Sequence, residues 1–165
     1  MKRIFVLMVL CTLFMSVSAQ EVDSLQSNSI TIEGLAAKLN SLQNDYDYLN
    51  CIYELDMLEL TLEIFAHNIN QKTTDLKFSY YHHKKDYDIY YLYRSDYNGD
   101  VALFDAYKES IKIKKEAIDL NIQTLNFSDK RVDILKVKCE SLDIKLRRVE
   151  VALKGYKTYI DMYKK

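Results

Sequence analysis

The sequence contains no proline and only three glycines, Gly34, Gly99 and Gly155. Proline and glycine are the residues that most often end strands and form tight turns. Because they are nearly absent, we expect helix rather than strand along most of the chain.

The sequence also lacks the motifs of common catalytic sites: a nucleophile elbow, a glycine-rich phosphate loop, an HExxH zinc motif and a catalytic-cysteine signature. A Glu-x-x-His motif of the kind that di-iron bundles use is missing too. His82 and Asp86 lie one helical turn apart, but two ligands are too few for tetrahedral zinc. We therefore expect no enzymatic activity, no cofactor and no metal.

The first 19 residues have the pattern of a secretory signal peptide. Lys2 and Arg3 precede an apolar run from Ile4 to Met15, and Val17-Ser18-Ala19 supplies the small residues typical of a cleavage site. The run is too short to cross a bilayer as a helix. We expect cleavage after Ala19 and export, either to a periplasm or out of the cell.

Charge and hydropathy limit the partners of the mature chain. Loss of Lys2 and Arg3 with the signal leaves 21 basic and 24 acidic residues, a net charge of −3, which argues against nucleic acid and anionic membranes as partners. The richest apolar stretch elsewhere, 57–66, carries Glu59 and Glu63, so we expect no stable membrane insertion after cleavage. Residues 20–29 are predicted to be a disordered leader, and residues 30–165 a single helical domain.

Apolar residues recur at alternating steps of three and four along most of this domain, which is typical of helices in coiled-coil-like packing. The clearest stripe comprises Val132, Leu135, Cys139, Leu142, Leu146, Val149, Leu153, Tyr156, Ile160 and Tyr163. A second stripe comprises Ile32, Leu35, Leu39, Leu42, Tyr46, Leu49 and Tyr53. A neighbouring face then continues through Ile52, Leu55, Leu58, Leu62, Phe65 and Ile69. Met57, Leu60 and Ile64 make this part apolar on nearly every side, which predicts that it is enclosed.

Three breaks divide the helical pattern. Asn98-Gly99 is the clearest turn, with Asp100 as the cap of the following helix. Ser128 is a predicted N-cap, and a weaker break falls in residues 70–74. These breaks predict four helices, at about 30–69, 74–97, 100–126 and 129–164, with boundaries uncertain by roughly two to four residues.

The predicted fold is therefore an all-α, antiparallel four-helix bundle with coiled-coil-like heptads. The alternative is a long antiparallel hairpin of two helices centred on Gly99, in which the chain stays helical near residues 72 and 128. That hairpin would expose apolar surface and form homo-oligomers. Both folds place the heptad stripes at helix contacts, so the pattern leaves the choice open.

Tyrosine is concentrated in the second predicted helix. At 100° per residue, six tyrosine and histidine positions lie on one side of this helix: Tyr80, His83, Tyr87, Tyr90, Tyr91 and Tyr97. Packing is the commoner role of such a stripe. Tyrosine is also enriched at interfaces, so the alternative is an interaction patch in which Tyr87, Tyr90 and Tyr91 support partner binding or self-association.

Cys51 and Cys139 are the only cysteines after the signal, and an exported protein can hold a disulfide between them. If the first and last helices pair antiparallel about residue 99, the two cysteines lie on the order of 12 Å apart along the axis, which is too far for a disulfide. A register shift of a few residues closes this gap. The sequence therefore leaves the pairing open.

These observations favour an exported, non-enzymatic helical protein that acts through protein-protein interaction or self-association. One alternative is an envelope holdase chaperone, by analogy with long-helical periplasmic holdases. Another is a small-ligand or metal binder that uses the tyrosine- and histidine-rich second helix, for which an open tyrosine-walled pocket would be the evidence.

Overall fold

The computed structural model describes the backbone of residues 32–82 and 87–163 and, except at 82, 87 and 88, their side chains. These residues form three helices: α1 (Ile32–His82), α2 (Tyr87–Thr124) and α3 (Asp129–Tyr163). The two described ranges contain no strand, so the predicted all-α class is confirmed. The predicted signal peptide, residues 1–19, and the leader, residues 20–29, lie outside the described residues.

The chain divides into two compact units, residues 1–40 and 41–165, and this division falls within the predicted single domain. In the first unit, which is described from residue 32, the helical residues Ile32, Leu35 and Leu39 are exposed. The second unit contains residues 41–82 of α1 together with α2 and α3. All of the packing described below belongs to this second unit.

Two of the three predicted breaks are wrong, so residues 32–82 and 87–163 form three helices instead of the four that were predicted. Residues 70–74 lie within α1, and Asn98-Gly99 lies within α2. The predicted helix at 74–97 is shared between α1 and α2, and residues 83–86 lie outside the description. The two-helix hairpin is wrong as well, because the chain leaves the helical conformation between Thr124 and Asp129.

Contacts between helices explain why the turn-prone segments are helical. Lys72 of α1 binds Asp96 at 2.9 Å and Asp100 at 2.8 Å, and these two carboxylates face the same lysine because they are one helical turn apart. Asp100 is thus an ion-pair partner in mid-helix and not a cap. In residues 70–74, the hydroxyls of Thr73 and Thr74 donate to carbonyls four residues earlier, which is compatible with helix.

The predicted break at Ser128 is confirmed. The backbone N–H groups of Arg131 and Val132 donate to the carbonyl oxygen of Ser128 at 2.8 and 3.1 Å, which is the first turn of α3. Phe127 is buried just before this turn, and Val132 packs against the same core. This apolar pair on either side of the N-cap has the arrangement of a hydrophobic staple.

The three helices of the second unit run up, down and up. Two ion pairs between α1 and α3, Asp56 with Lys138 and Glu63 with Lys145, join residues 82 apart, so these helices are parallel. Contacts between α1 and α2 run in opposite directions, from Glu54 with Lys114 to Ser79 with Tyr93, so this pair is antiparallel. The second unit is a bundle of three helices around one core.

The core is built from one face of each helix, on which buried residues recur at multiples of seven positions. On α1 these are Leu55, Leu62, Ile69 and Leu76; on α2, Tyr90, Phe104, Ile111 and Ile118; on α3, Leu135, Leu142, Val149, Tyr156 and Tyr163. Apart from Leu76, which lies beyond the predicted stripe, the α1 and α3 sets belong to two of the predicted stripes. The C-terminal stripe packs against the core along its length, with Val132, Cys139 and Leu146 only partly buried.

Two predictions about α1 are wrong. The stripe that includes Leu42, Tyr46, Leu49 and Tyr53 is exposed instead of buried, and the segment containing Met57, Leu60 and Ile64 is not enclosed. Both errors have one cause, since α2 and α3 pack on the face of α1 that carries Leu55 and Leu62. At 100° per residue, Leu60 points about 140° away from Leu55, on the far side of the helix.

Candidate interaction surface

The far side of α1 is a continuous apolar surface in the second unit, and we call it the outer face of α1. Its members are Leu42, Tyr46, Leu49, Tyr53, Met57, Leu60 and Ile64, with relative exposures of 45 to 64%. They follow one another at steps of three or four, so they lie on one side of the helix over about 33 Å. Single exposed apolar residues are ordinary on protein surfaces, whereas an unbroken row of large ones marks an interaction site.

The outer face carries no charged side chain, and three carboxylates that border it on the α3 side are already paired. Asp45 contacts Arg131 at 2.6 Å, Asp56 contacts Lys138 and Glu63 contacts Lys145, all across to α3. The hydrogen bond and charge of Lys145 lower the pKa of Glu63 below its ordinary value. Residues 39–71 contain no lysine or arginine, so α1 depends on the other helices for these counter-ions.

The other two helices also expose apolar side chains, but their rows are interrupted. On α2, Leu103 and Ile113 are exposed with Ser110 between them. On α3, Ile144 and Val151 are exposed with Arg148 between them. The outer face of α1 is therefore the longest continuous row of large apolar side chains on the described part of the second unit.

The residues of the predicted tyrosine patch lie in different environments. Tyr90 is buried and its hydroxyl accepts a hydrogen bond from Arg94, whereas Tyr91 next to it is exposed. Tyr80 and Tyr97 are partly buried and pack edge-on against Tyr163 and Tyr156 of α3. His83 and the side chain of Tyr87 lie outside the described residues. The described tyrosines of the patch are thus mainly packing residues, with Tyr91 as the exposed exception.

A polar cluster at the contact of all three helices was not predicted from the sequence. Lys72 lies between Asp96 and Asp100, and the hydroxyl of the fully buried Tyr156 donates to Asp96 at 3.4 Å. Burial alone would lower the pKa of Lys72, but its bonds to Asp100 and Asp96 raise it above the ordinary value. Burial and the two carboxylates raise the pKa of Tyr156. The four-residue spacing of Asp96 and Asp100 could have indicated that the two carboxylates share a partner. Asn98-Gly99 between them predicted a turn instead, which placed the two residues in different helices.

This cluster is internally satisfied. Each charge and each hydroxyl in it has a partner, and none of the described buried side-chain nitrogen or oxygen atoms lacks a hydrogen bond. Such an arrangement fixes the register of α2 against α1 and α3. It has the character of a structural connection and not of a reactive site.

Cys51 and Cys139 are free thiols in this structure. Cys51 is buried and accepts a weak hydrogen bond from the Asn121 side chain at 3.5 Å, while Cys139 is partly buried on α3. Burial raises the pKa of the Cys139 thiol above its ordinary value. The sulfur of Cys139 is thereby held in the protonated, unreactive form.

In residues 32–82 and 87–163, no three His, Cys, Asp or Glu side chains come together in a way that could hold a metal ion. Over those ranges, none of the helices combines the length and the hydrophobicity that crossing a bilayer requires.

Comparison with known proteins gives no relative for this chain. It has no significant match to a protein-family model, to a curated protein or to a solved structure.

Proposed function

We propose that this chain is an exported, non-enzymatic helical protein that acts through contact with another protein, either a partner or a second copy, by the outer face of α1. The observation that carries the proposal is the row of seven large, half-exposed apolar side chains on that face. Leaving such a row in water has a cost of roughly 25 cal/mol for each Å² of apolar surface. A covering partner would remove that cost.

Lysine substitution on the outer face tests this proposal. In a Leu49→Lys, Tyr53→Lys variant, two charges stand at the centre of the face, so capture of a partner by crosslinking in the native envelope should be lost, or the mass of the purified protein should fall. The matched control is Ile113→Lys, an equally exposed apolar position on α2. Circular dichroism establishes equal folding of all three proteins. Unchanged mass together with unchanged capture in the double variant would refute the proposal.

Export is the second part of the proposal, and its support is the pattern of Lys2, Arg3, the apolar run and Val17-Ser18-Ala19. N-terminal sequencing of the protein recovered from cells should give Gln20 as the first residue. Recovery of intact Met1 on cytoplasmic protein would contradict it.

A holdase chaperone is the second candidate, because apolar side chains are exposed on all three helices and not on α1 alone. A holdase binds unfolded chains of many sequences through such surfaces. Equimolar protein should then suppress the aggregation of a chemically denatured test protein, measured by light scattering, and both the α1 variant and the Ile113→Lys variant should weaken the effect. No suppression would leave specific association as the function.

A further inference from the structure

We propose that the occupant of the outer face of α1 is the same face of a second copy, paired antiparallel about a two-fold axis at Tyr53. This inference rests on the proposed function and specifies its partner. The first argument is spacing. Outward from Tyr53 the row takes steps of four, three and four residues in both directions. An antiparallel copy therefore presents the same spacing, with Leu42 at the level of Ile64, and Leu49 at the level of Met57.

The second argument is area. A tyrosine side chain offers about 200 Å² and an aliphatic one somewhat less, so the seven half-exposed side chains present at most roughly 700 Å². Standard stable interfaces bury roughly 600 to 1,000 Å² on each partner. The outer face is thus large enough for a dimer without any contribution from α2 or α3, and an isologous contact of this kind closes on itself.

The third argument is charge at the edge of the face. Asp45, Asp56 and Glu63 border the face on its α3 side. In a two-fold antiparallel dimer the α3-side edges of the two copies lie together, so Asp45 stands near Glu63 of the second copy. Each of these carboxylates already has a cationic partner on α3, so the edges that meet carry charges of both signs. Charge thus permits the pairing, and the symmetric spacing about Tyr53 supports its antiparallel direction.

Cysteine crosslinking tests the pairing and its direction. In a Cys51→Ala, Cys139→Ala background, one protein carries Leu42→Cys and the other Ile64→Cys, both at exposed positions. After mild oxidation, a mixture of the two should give a disulfide-linked dimer on a non-reducing gel, and neither protein alone should, because its two cysteines would lie about 33 Å apart in the dimer. Val137→Cys, at an exposed position on α3, is the control and should stay monomeric on the gel.

The outcomes separate this inference from the proposed function. Crosslinking of each single variant with itself would overturn the antiparallel pairing in favour of a parallel dimer. A purified protein that sediments as a monomer and gives no crosslink in any combination would overturn the second copy as the occupant. The proposed function would survive that result if the parent protein captures a different protein and the Leu49→Lys, Tyr53→Lys variant does not. If the two proteins capture the same partners, the proposed function fails as well.

Discussion

At the scale of single residues, Leu142 of α3 is a stringent test of the packing, because its side chain is fully buried in the core. Leu142→Ala should lower the free energy of unfolding by about 2 to 5 kcal/mol, through lost apolar contact and the cavity that remains. Val137→Ala, on the exposed side of the same helix, should change it by less than about 0.5 kcal/mol. Urea unfolding followed by circular dichroism measures both, and equal effects would show that α3 packs on a different face.

Tyr156 should make the stability of the protein sensitive to alkaline pH. Burial, and then the charges of Asp96 and Asp100, raise the pKa of its hydroxyl above the ordinary value near 10. The unfolded chain therefore loses this proton first, so the free energy of unfolding is undiminished below about pH 10 and falls as the pH rises further. Lys72, whose pKa is also raised, adds to the fall in the same direction.

The Tyr156→Phe variant isolates this contribution. At neutral pH it should cost about 0.5 to 1.5 kcal/mol, because a hydrogen bond to Asp96 is lost. Between neutral pH and about pH 11 its melting temperature should fall less than that of the parent protein. Tyr91→Phe removes an exposed hydroxyl, so its melting temperature should fall at alkaline pH as much as that of the parent protein. The pH explanation would be wrong if the two variants lost stability equally.

At the scale of elements, Gly99 distinguishes a continuous α2 from a turn. A Cβ built at this position meets no atom within 4 Å, and the backbone there is helical. Gly99→Ala should therefore stabilise the protein by about 0.5 to 1 kcal/mol, since glycine gives up more backbone freedom in a helix than alanine does. Ala102→Gly, at an exposed position of the same helix, should cost a similar amount. Destabilisation by Gly99→Ala would restore the predicted turn, in which glycine holds a positive φ.

The helices also show what apolar periodicity can and cannot predict about burial. The seven-residue spacing of Leu135, Leu142 and Val149 predicted a buried stripe correctly, because apolar residues in that pattern must face something apolar. The same spacing at Leu42 and Leu49 predicted burial wrongly. A heptad shows which face of a helix is apolar, but it does not show which partner covers that face or whether the partner belongs to the same chain.

At the scale of the whole molecule, the topology follows from where the chain breaks and which charges oppose each other. The break at Ser128 could be predicted from its local sequence, whereas the helix through Asn98-Gly99 depends on Lys72, which lies on another helix. The candidate surface could not be predicted for the same reason. The surface is exposed because α2 and α3 both pack on the opposite face of α1. That packing involves long-range contacts such as Asp56 with Lys138.

Association through the outer face of α1 should also appear in the stability of the whole molecule. When folding is coupled to dimerisation, mass action makes the melting temperature rise with protein concentration. We expect this rise for the parent protein and for Ile113→Lys, whose substitution is on α2. The Leu49→Lys, Tyr53→Lys variant should melt at a temperature that does not depend on concentration, because its charges would be buried without partners in the dimer. Differential scanning calorimetry over a hundredfold range of concentration measures the effect, and a parent protein with a constant melting temperature would contradict self-association.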